Sequence, residues 1–150
     1  MFEEGNLLRF EPFLFKNGAL PKPKYFVVIK DIDGDLLLAS LPTSKDHVPR
    51  DIEMRRGCLD ISERQLNIFV FLSNEVISID AEGNEFAFPL DTFIYGADID
   101  TYPVSTFIKQ LQDNDTSILL LGKLQDGIFQ ELKECLKSSR MVKNKFRRLL

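Results

Sequence analysis

Between Lys22 and Pro49 the chain gathers the residue types that phosphate chemistry uses. Lys22 and Lys24 supply cations, Thr43 and Ser44 supply hydroxyls, and His47, the sole histidine, supplies an imidazole that titrates near neutral pH. A cation beside a phosphate stabilises the charge that develops when a neighbouring hydroxyl attacks it. Hydroxyl side chains can donate to the same oxygens, and an imidazole can move the protons.

For these groups to meet, the chain between them must fold back on itself. Tyr25-Phe26-Val27-Val28-Ile29 is a β-branched and aromatic run that reads as a buried strand. Asp31 to Asp35, with Gly34 inside it, has the composition of a hairpin turn. Leu36 to Leu41 then returns as the partner strand, ending in Pro42-Thr43-Ser44-Lys45-Asp46-His47. An antiparallel hairpin sets the start of one strand beside the end of the other, so the two lysines are expected to face the two hydroxyls.

The rest of the chain supports a compact single domain. It has 150 residues, 44% hydrophobic and 28% charged, with 13 phenylalanines and no tryptophan, so a core of aromatic rings is expected. A net charge of −4 argues against broad nucleic-acid binding by the whole surface. Lys137, Arg140, Lys143, Lys145, Arg147 and Arg148 form a basic run with no acidic residue among them, within a C-terminal tail spanning 137–150. It reads as a solvated helical face or tail, or else as a contact for phosphate or an acidic partner. Cys58 and Cys135 match no metal spacing and no disulfide framework, so they read as buried structural thiols in a reducing cytosol. No export signal is visible at the start, and no apolar run approaches the roughly 20 residues of a membrane span. No cofactor motif or metal-ligand spacing is present, and the pairs Asp31/Asp33 and Asp98/Asp100 read as turn chemistry.

Leu7 to Phe15 reads as an edge or bent strand because Pro12 removes a ladder donor. Val48 to Glu63 reads as a long loop. Gln65 to Leu72, Glu75 to Asp80 and Glu85 to Tyr95 continue as short strands joined by tight turns, which makes an antiparallel meander of about five to seven strands, a small barrel or a sandwich. After Tyr95 the period changes. Val104, Phe107, Ile108 and Leu111 mark one helix, opened by Thr101 and Pro103, and Ile128 to Leu136 marks another, capped by Asp126. Thr116 to Leu121 is a last strand or a buried connector, and Ser138-Ser139 opens a third helix with Val142, Phe146 and Leu149 inward. The class is mainly β with helices, α+β in the broad sense.

Gly5-Asn6-Leu7-Leu8, the basic-Pro entry Lys22-Pro23-Lys24 into a Val/Ile strand, the return strand ending Pro42-Thr43-Ser44, and Gly122-Lys123-Leu124 before an amphipathic helix together resemble the MazF/PemK family of toxins. The resemblance touches much of the chain, and its specific part is the first third. It implies an SH3-like barrel with C-terminal helices, homodimeric and cytoplasmic, paired with an antitoxin protein. It also implies metal-independent cleavage of single-stranded RNA by 2′-OH attack, with no cofactor. On this resemblance Lys24, Thr43, Ser44 and His47 are the expected catalytic residues, and Lys22, Lys45, Arg50 and Lys16 the RNA-binding ones. Asn6 stands where the family has Asp, and a lysine stands where it has Arg: Lys24 if Tyr25 takes the Pro place, Lys22 if Pro23 keeps it. The alternative is a non-catalytic SH3-like binding module that has lost the active-site Arg.

Overall fold

Two of the longest apolar runs in the chain do not alternate, and the fold explains why: the strands they form are buried on both faces. The computed structural model describes residues 1–45 and 48–150. Its strands are β1 (Asn6–Phe13), β2 (Lys22–Ile32), β3 (Asp35–Ser40), β4 (Gly57–Ile61), β5 (Leu66–Phe71), β6 (Val76–Ile79), β7 (Glu85–Ala87), β8 (Thr92–Tyr95), β9 (Asp100–Pro103) and β10 (Ser117–Leu124). The helices are α1 (Val104–Gln112), α2 (Asp126–Lys137) and α3 (Asn144–Arg147). One sheet runs β7-β6-β10-β1-β2-β3-β9 and a second runs β4-β5-β8, with every pairing antiparallel. The mainly β, antiparallel class expected from the sequence is the one the chain adopts, and the arrangement is compatible with a barrel.

In β2, Phe26 and Val28 enter a core shared with Leu8, Phe10, Leu38 and Phe107, which α1 covers. Val27 and Ile29 point the other way, into a core with Leu7, Leu37, Phe69 and Leu132, which α2 covers. β5 is likewise buried throughout, with Ile68 and Val70 packed against Phe93 and Tyr95 in a third cluster. The switch to helical period after Tyr95 is real, and the apolar faces read from the sequence bury Phe107 in α1 and Phe129, Leu132 and Leu136 in α2.

Several expectations need correction. The strand at Asn6–Phe13 is central, flanked by β10 and β2, rather than an edge. Pro12 is tolerated there because it falls in the register shift between Phe10 and Phe13, where the ladder needs no donor. The stretch expected as loop, Val48 to Glu63, contains β4, and the described residues form ten strands rather than five to seven. Short β7 and β9 add to it, the latter taking Asp100 and Thr101 into a ladder with Leu38 and Leu37. Thr116 to Leu121 resolves to β10, a strand. Pro103, not Thr101, holds the N-cap of α1, and Asp126 lies in the first turn of α2 beyond the cap residue Gln125. The third helix is a single turn, although Val142 and Phe146 are buried as expected.

Cys58 and Cys135 are not separate thiols. They form a disulfide between β4 and α2, with Cα atoms 5.6 Å apart across 77 residues of sequence. The inference of a reducing compartment from unpaired cysteines therefore loses its premise. Beside the bridge, Asp60 Oδ1 accepts from Ser139 Oγ at 2.8 Å and from Asn67 Nδ2 at 3.3 Å, and Arg147 Nη1 donates to the Ser139 carbonyl at 3.2 Å. The C-terminal segment is thus pinned by polar groups as well as by its buried apolar residues. The basic residues Lys137, Arg140, Lys143, Lys145 and Arg148 stay exposed.

Asn67 is packed so closely that its neighbour can only be glycine. A Cβ on Gly96 would fall inside the van der Waals envelope of Asn67 Oδ1 and 2.9 Å from Val142 Cγ2. Gly96→Ala is expected to lower stability by about 1–3 kcal/mol, the usual cost of overpacking. Urea unfolding followed by tyrosine fluorescence measures it, and an unchanged midpoint would show that the contact yields freely.

Candidate functional site

The β2–β3 ladder stops abruptly at its open end. Phe26 pairs with Ser40, and Leu41 N–H donates to the Tyr25 carbonyl at 3.1 Å. Beyond that rung stand Pro42 on one strand and Pro23 on the other, and by the alternation of the ladder the next β2 donor toward β3 falls at Pro23, which has no N–H. The two chains part. Pro42 turns toward β8, its carbonyl accepting from Phe93 N–H at 2.9 Å, and the Ser44 carbonyl accepts from the Tyr95 hydroxyl at 2.5 Å.

The parting leaves a groove of about 320 Å³ between Lys22–Tyr25 and Leu41–Ser44. Four of the residues singled out in the sequence, Lys22, Lys24, Thr43 and Ser44, therefore line one groove. Lys45 and Arg50 border a separate groove of about 580 Å³ with Val48, Ile52 and Met54. Lys16 is not a lining residue of either: its ammonium donates to Asp100 Oδ2 at 3.2 Å and to the Thr101 carbonyl at 2.5 Å, and sits 4.0 Å from the Tyr102 ring centroid. His47 lies outside the described residues.

Lys24 was expected to reach outward as the last unburied residue of the strand entry. Instead it is partly buried, its ammonium 5.4 Å from the Phe15 ring centroid and 5.9 Å from that of Phe26. Lys22 Nζ lies 5.8 Å from the same Phe15 ring. The reason is steric and electrostatic together: Lys24 shares a face with Phe26, and aromatic faces attract a cation. Burial lowers the Lys24 pKa below the ordinary lysine value, the neighbouring Lys22 charge lowers it further, and Asp98 partly offsets both. Neither Lys22 nor Lys24 forms a salt bridge among the described residues.

Sequence reasoning missed an arginine next door. On β1, Arg9 faces the same side as Tyr25, to which it pairs, and Arg9 Nη1 donates to the Tyr25 hydroxyl at 2.7 Å with its guanidinium over the ring. That hydrogen bond raises the Arg9 pKa, and Glu11 adds to the effect. Arg9 Nε faces Glu11 Oε1 at 2.5 Å without the alignment of a hydrogen bond. The sequence signal was available in the alternation of Leu7, Arg9 and Glu11, once β1 is paired with β2 rather than set at an edge. Tyr95 and Phe15 carried no such signal, because each reaches the groove region from a distant segment.

Among the described residues no three of His, Cys, Asp or Glu converge as a metal site, and no helix is long and apolar enough to cross a membrane. Fold and geometry together give a mainly β antiparallel protein with a groove that has Lys22 and Lys24 on one wall and Thr43 and Ser44 on the other. Comparison of the chain with protein-family models, with curated proteins and with solved structures finds no match.

The buried lysine carries its own signature. Because the native Lys24 pKa is lowered, the folded chain binds this proton less tightly than the unfolded chain. Protonated Lys24 therefore costs stability at neutral pH, and the cost is relieved as pH rises through the window between its lowered pKa and the ordinary lysine value. Lys24→Met is expected to raise the denaturation midpoint at neutral pH and to remove the alkaline gain. Chemical denaturation of both proteins at about pH 7 and about pH 10 checks the sign.

Proposed function

We infer that the chain is a toxin-like endoribonuclease similar to the MazF/PemK family, cleaving single-stranded RNA without a metal and paired with an antitoxin protein that binds its surface. Homodimerisation and a cytoplasmic site of action belong to the same proposal. The observation that supports it is the pairing of Lys22 and Lys24 on one wall of a groove whose other wall bears Thr43 and Ser44. Two like charges in contact with one ring, one of them partly buried, cost folding free energy that a bound phosphate would offset.

In the reaction the 2′-oxygen of a ribose attacks the adjacent phosphorus and the bond from phosphorus to the 5′-oxygen breaks. A 2′,3′-cyclic phosphate and a 5′-hydroxyl result. The 2′-OH proton passes to a base and the departing 5′-oxygen takes a proton from an acid. Lys24 and Lys22 would neutralise the charge on the non-bridging oxygens, with Thr43 and Ser44 donating to them. His47, three residues past Ser44, would supply the imidazole for the proton transfers.

One observation favours the second reading, a binding module without catalysis. Lys24 lies over aromatic rings rather than extended into the groove, and a lysine cannot make the forked phosphate contact of an arginine. A short single-stranded RNA with fluorescent ends, incubated in EDTA, separates the two. Cleavage by the wild-type chain that is lost in Lys24→Ala and retained or raised in Lys24→Arg supports the nuclease. Loss in Lys22→Ala instead moves the family's arginine position to Lys22. Binding without cleavage by all four proteins selects the module.

The basic run contributes at a distance. Removing the whole segment would strip Val142 and Phe146 from the core, so charge-neutral substitutions are the cleaner test. Arg140→Gln, Lys143→Gln and Lys145→Gln together are expected to flatten the salt dependence of RNA binding by about 0.7 in log-log slope per lost phosphate contact. An unchanged slope returns these residues to a solvated face.

A further inference from the structure

We propose that the Cys58–Cys135 disulfide is a reversible thiol switch that sets how firmly α2 and the basic C-terminal segment are held to the β-sheets. The proposal is independent of any RNA chemistry. Cys58 is exposed on β4, an edge strand paired only with β5, whereas Cys135 is 3% exposed on α2. Cys58 is therefore the side of the bridge that lies toward solvent.

Both oxidation states find polar partners. In the bridged form Asn67 Nδ2 lies 3.5 Å from Cys135 Sγ, placed to donate to it. The Ile68 carbonyl oxygen lies 3.8 Å from the same sulfur, where it can accept from the S–H that reduction creates.

The exchange balances with a thiol as reductant. A thiolate attacks Cys58 Sγ, the bond to Cys135 breaks, and Cys135 leaves as a thiolate that takes up a proton. A mixed disulfide remains on Cys58. A second thiol attacks it, releasing the Cys58 thiolate and a small-molecule disulfide, so two electrons pass from two thiols to the protein.

The mechanical consequence follows from the tether. While bridged, α2 can open only within the reach of Cys135 from Cys58, so its opened ensemble stays small. Once reduced, the opened segment from α2 to α3 gains conformational entropy that the bridge had denied it, and it is then held by its apolar contacts, the Asp60–Ser139 bond, the bond from Asn67 Nδ2 to the Cys135 carbonyl and that from Lys30 Nζ to the Leu149 carbonyl. The clusters around Phe10 and around Ile68 contain no residue of α2 or α3 and keep their packing.

Equilibrating the full chain in glutathione buffers of graded ratio, then trapping thiols by alkylation, measures the couple. Hydrogen exchange on the same samples reads the segment. Expected is a single two-electron transition, with amide exchange in α2 and α3 rising by about tenfold or more on reduction while β1 to β3 stay protected. Cys58→Ser should show the fast exchange in every buffer, and re-oxidation of wild type should restore protection. Three results would overturn the proposal. A bridge that never forms removes the switch, exchange in α2 and α3 that ignores reduction removes its effect, and unfolding of the whole chain on reduction makes the disulfide a structural bridge only.

Discussion

Burial of β1, β2 and β3 on both faces is the constraint on which the structure depends. Alternate residues of each strand belong to different cores, Leu8, Phe10, Phe26 and Val28 to one and Leu7, Val27 and Ile29 to the other. A slip of one residue in any of these ladders would exchange the two sets wholesale, so the register is fixed by volume as well as by hydrogen bonds. Phe10, Phe13, Phe26 and Phe107 interlock with centroid separations of 4.5 to 6.4 Å, mostly edge to face or tilted, the geometries aromatic pairs prefer. Two cores need two covers, and the chain supplies α1 for the first and α2 for the second.

What the sequence discloses follows from how local each feature is. The β2–β3 hairpin was legible because its turn is written in adjacent residues: Asp31 Oδ1 accepts from Gly34 N–H at 3.0 Å, and Asp33 and Gly34 both take positive φ. The helices were legible because their apolar periods are long. β4 was not, since only Leu59 and Ile61 of its five residues face an apolar cluster and the other face presents Cys58 and Asp60. The disulfide was hidden for the same reason, its partners lying on an unseen strand and a helix 77 residues away. At the groove, hairpin geometry alone placed Lys22 and Lys24 opposite Thr43 and Ser44. The inward lie of Lys24 depended on Phe15, whose ring reaches the strand entry only after β1 and β2 have paired.

The C-terminal segment shows how a strongly basic stretch can belong to a core. Its apolar residues Val142 and Phe146 and its buried Ser139 face inward, and Lys30 Nζ closes the far end by donating to the Leu149 carbonyl at 2.5 Å. The cations stay at the surface, where they escape the desolvation that burial would cost. Fold and surface charge are here two faces of one short sequence.

Pro23 and Pro42 stand on opposite sides of the place where the hairpin comes unzipped. Their effect is set by covalent structure and so exists before any ligand arrives. An extended molecule lying there would meet no ladder hydrogen bond past the Tyr25–Leu41 rung that has to be broken first. Occupancy of such a slot is governed by diffusion and charge rather than by waiting for an opening. Pro23 leaves the next rung without its β2 donor whether the slot is empty or filled.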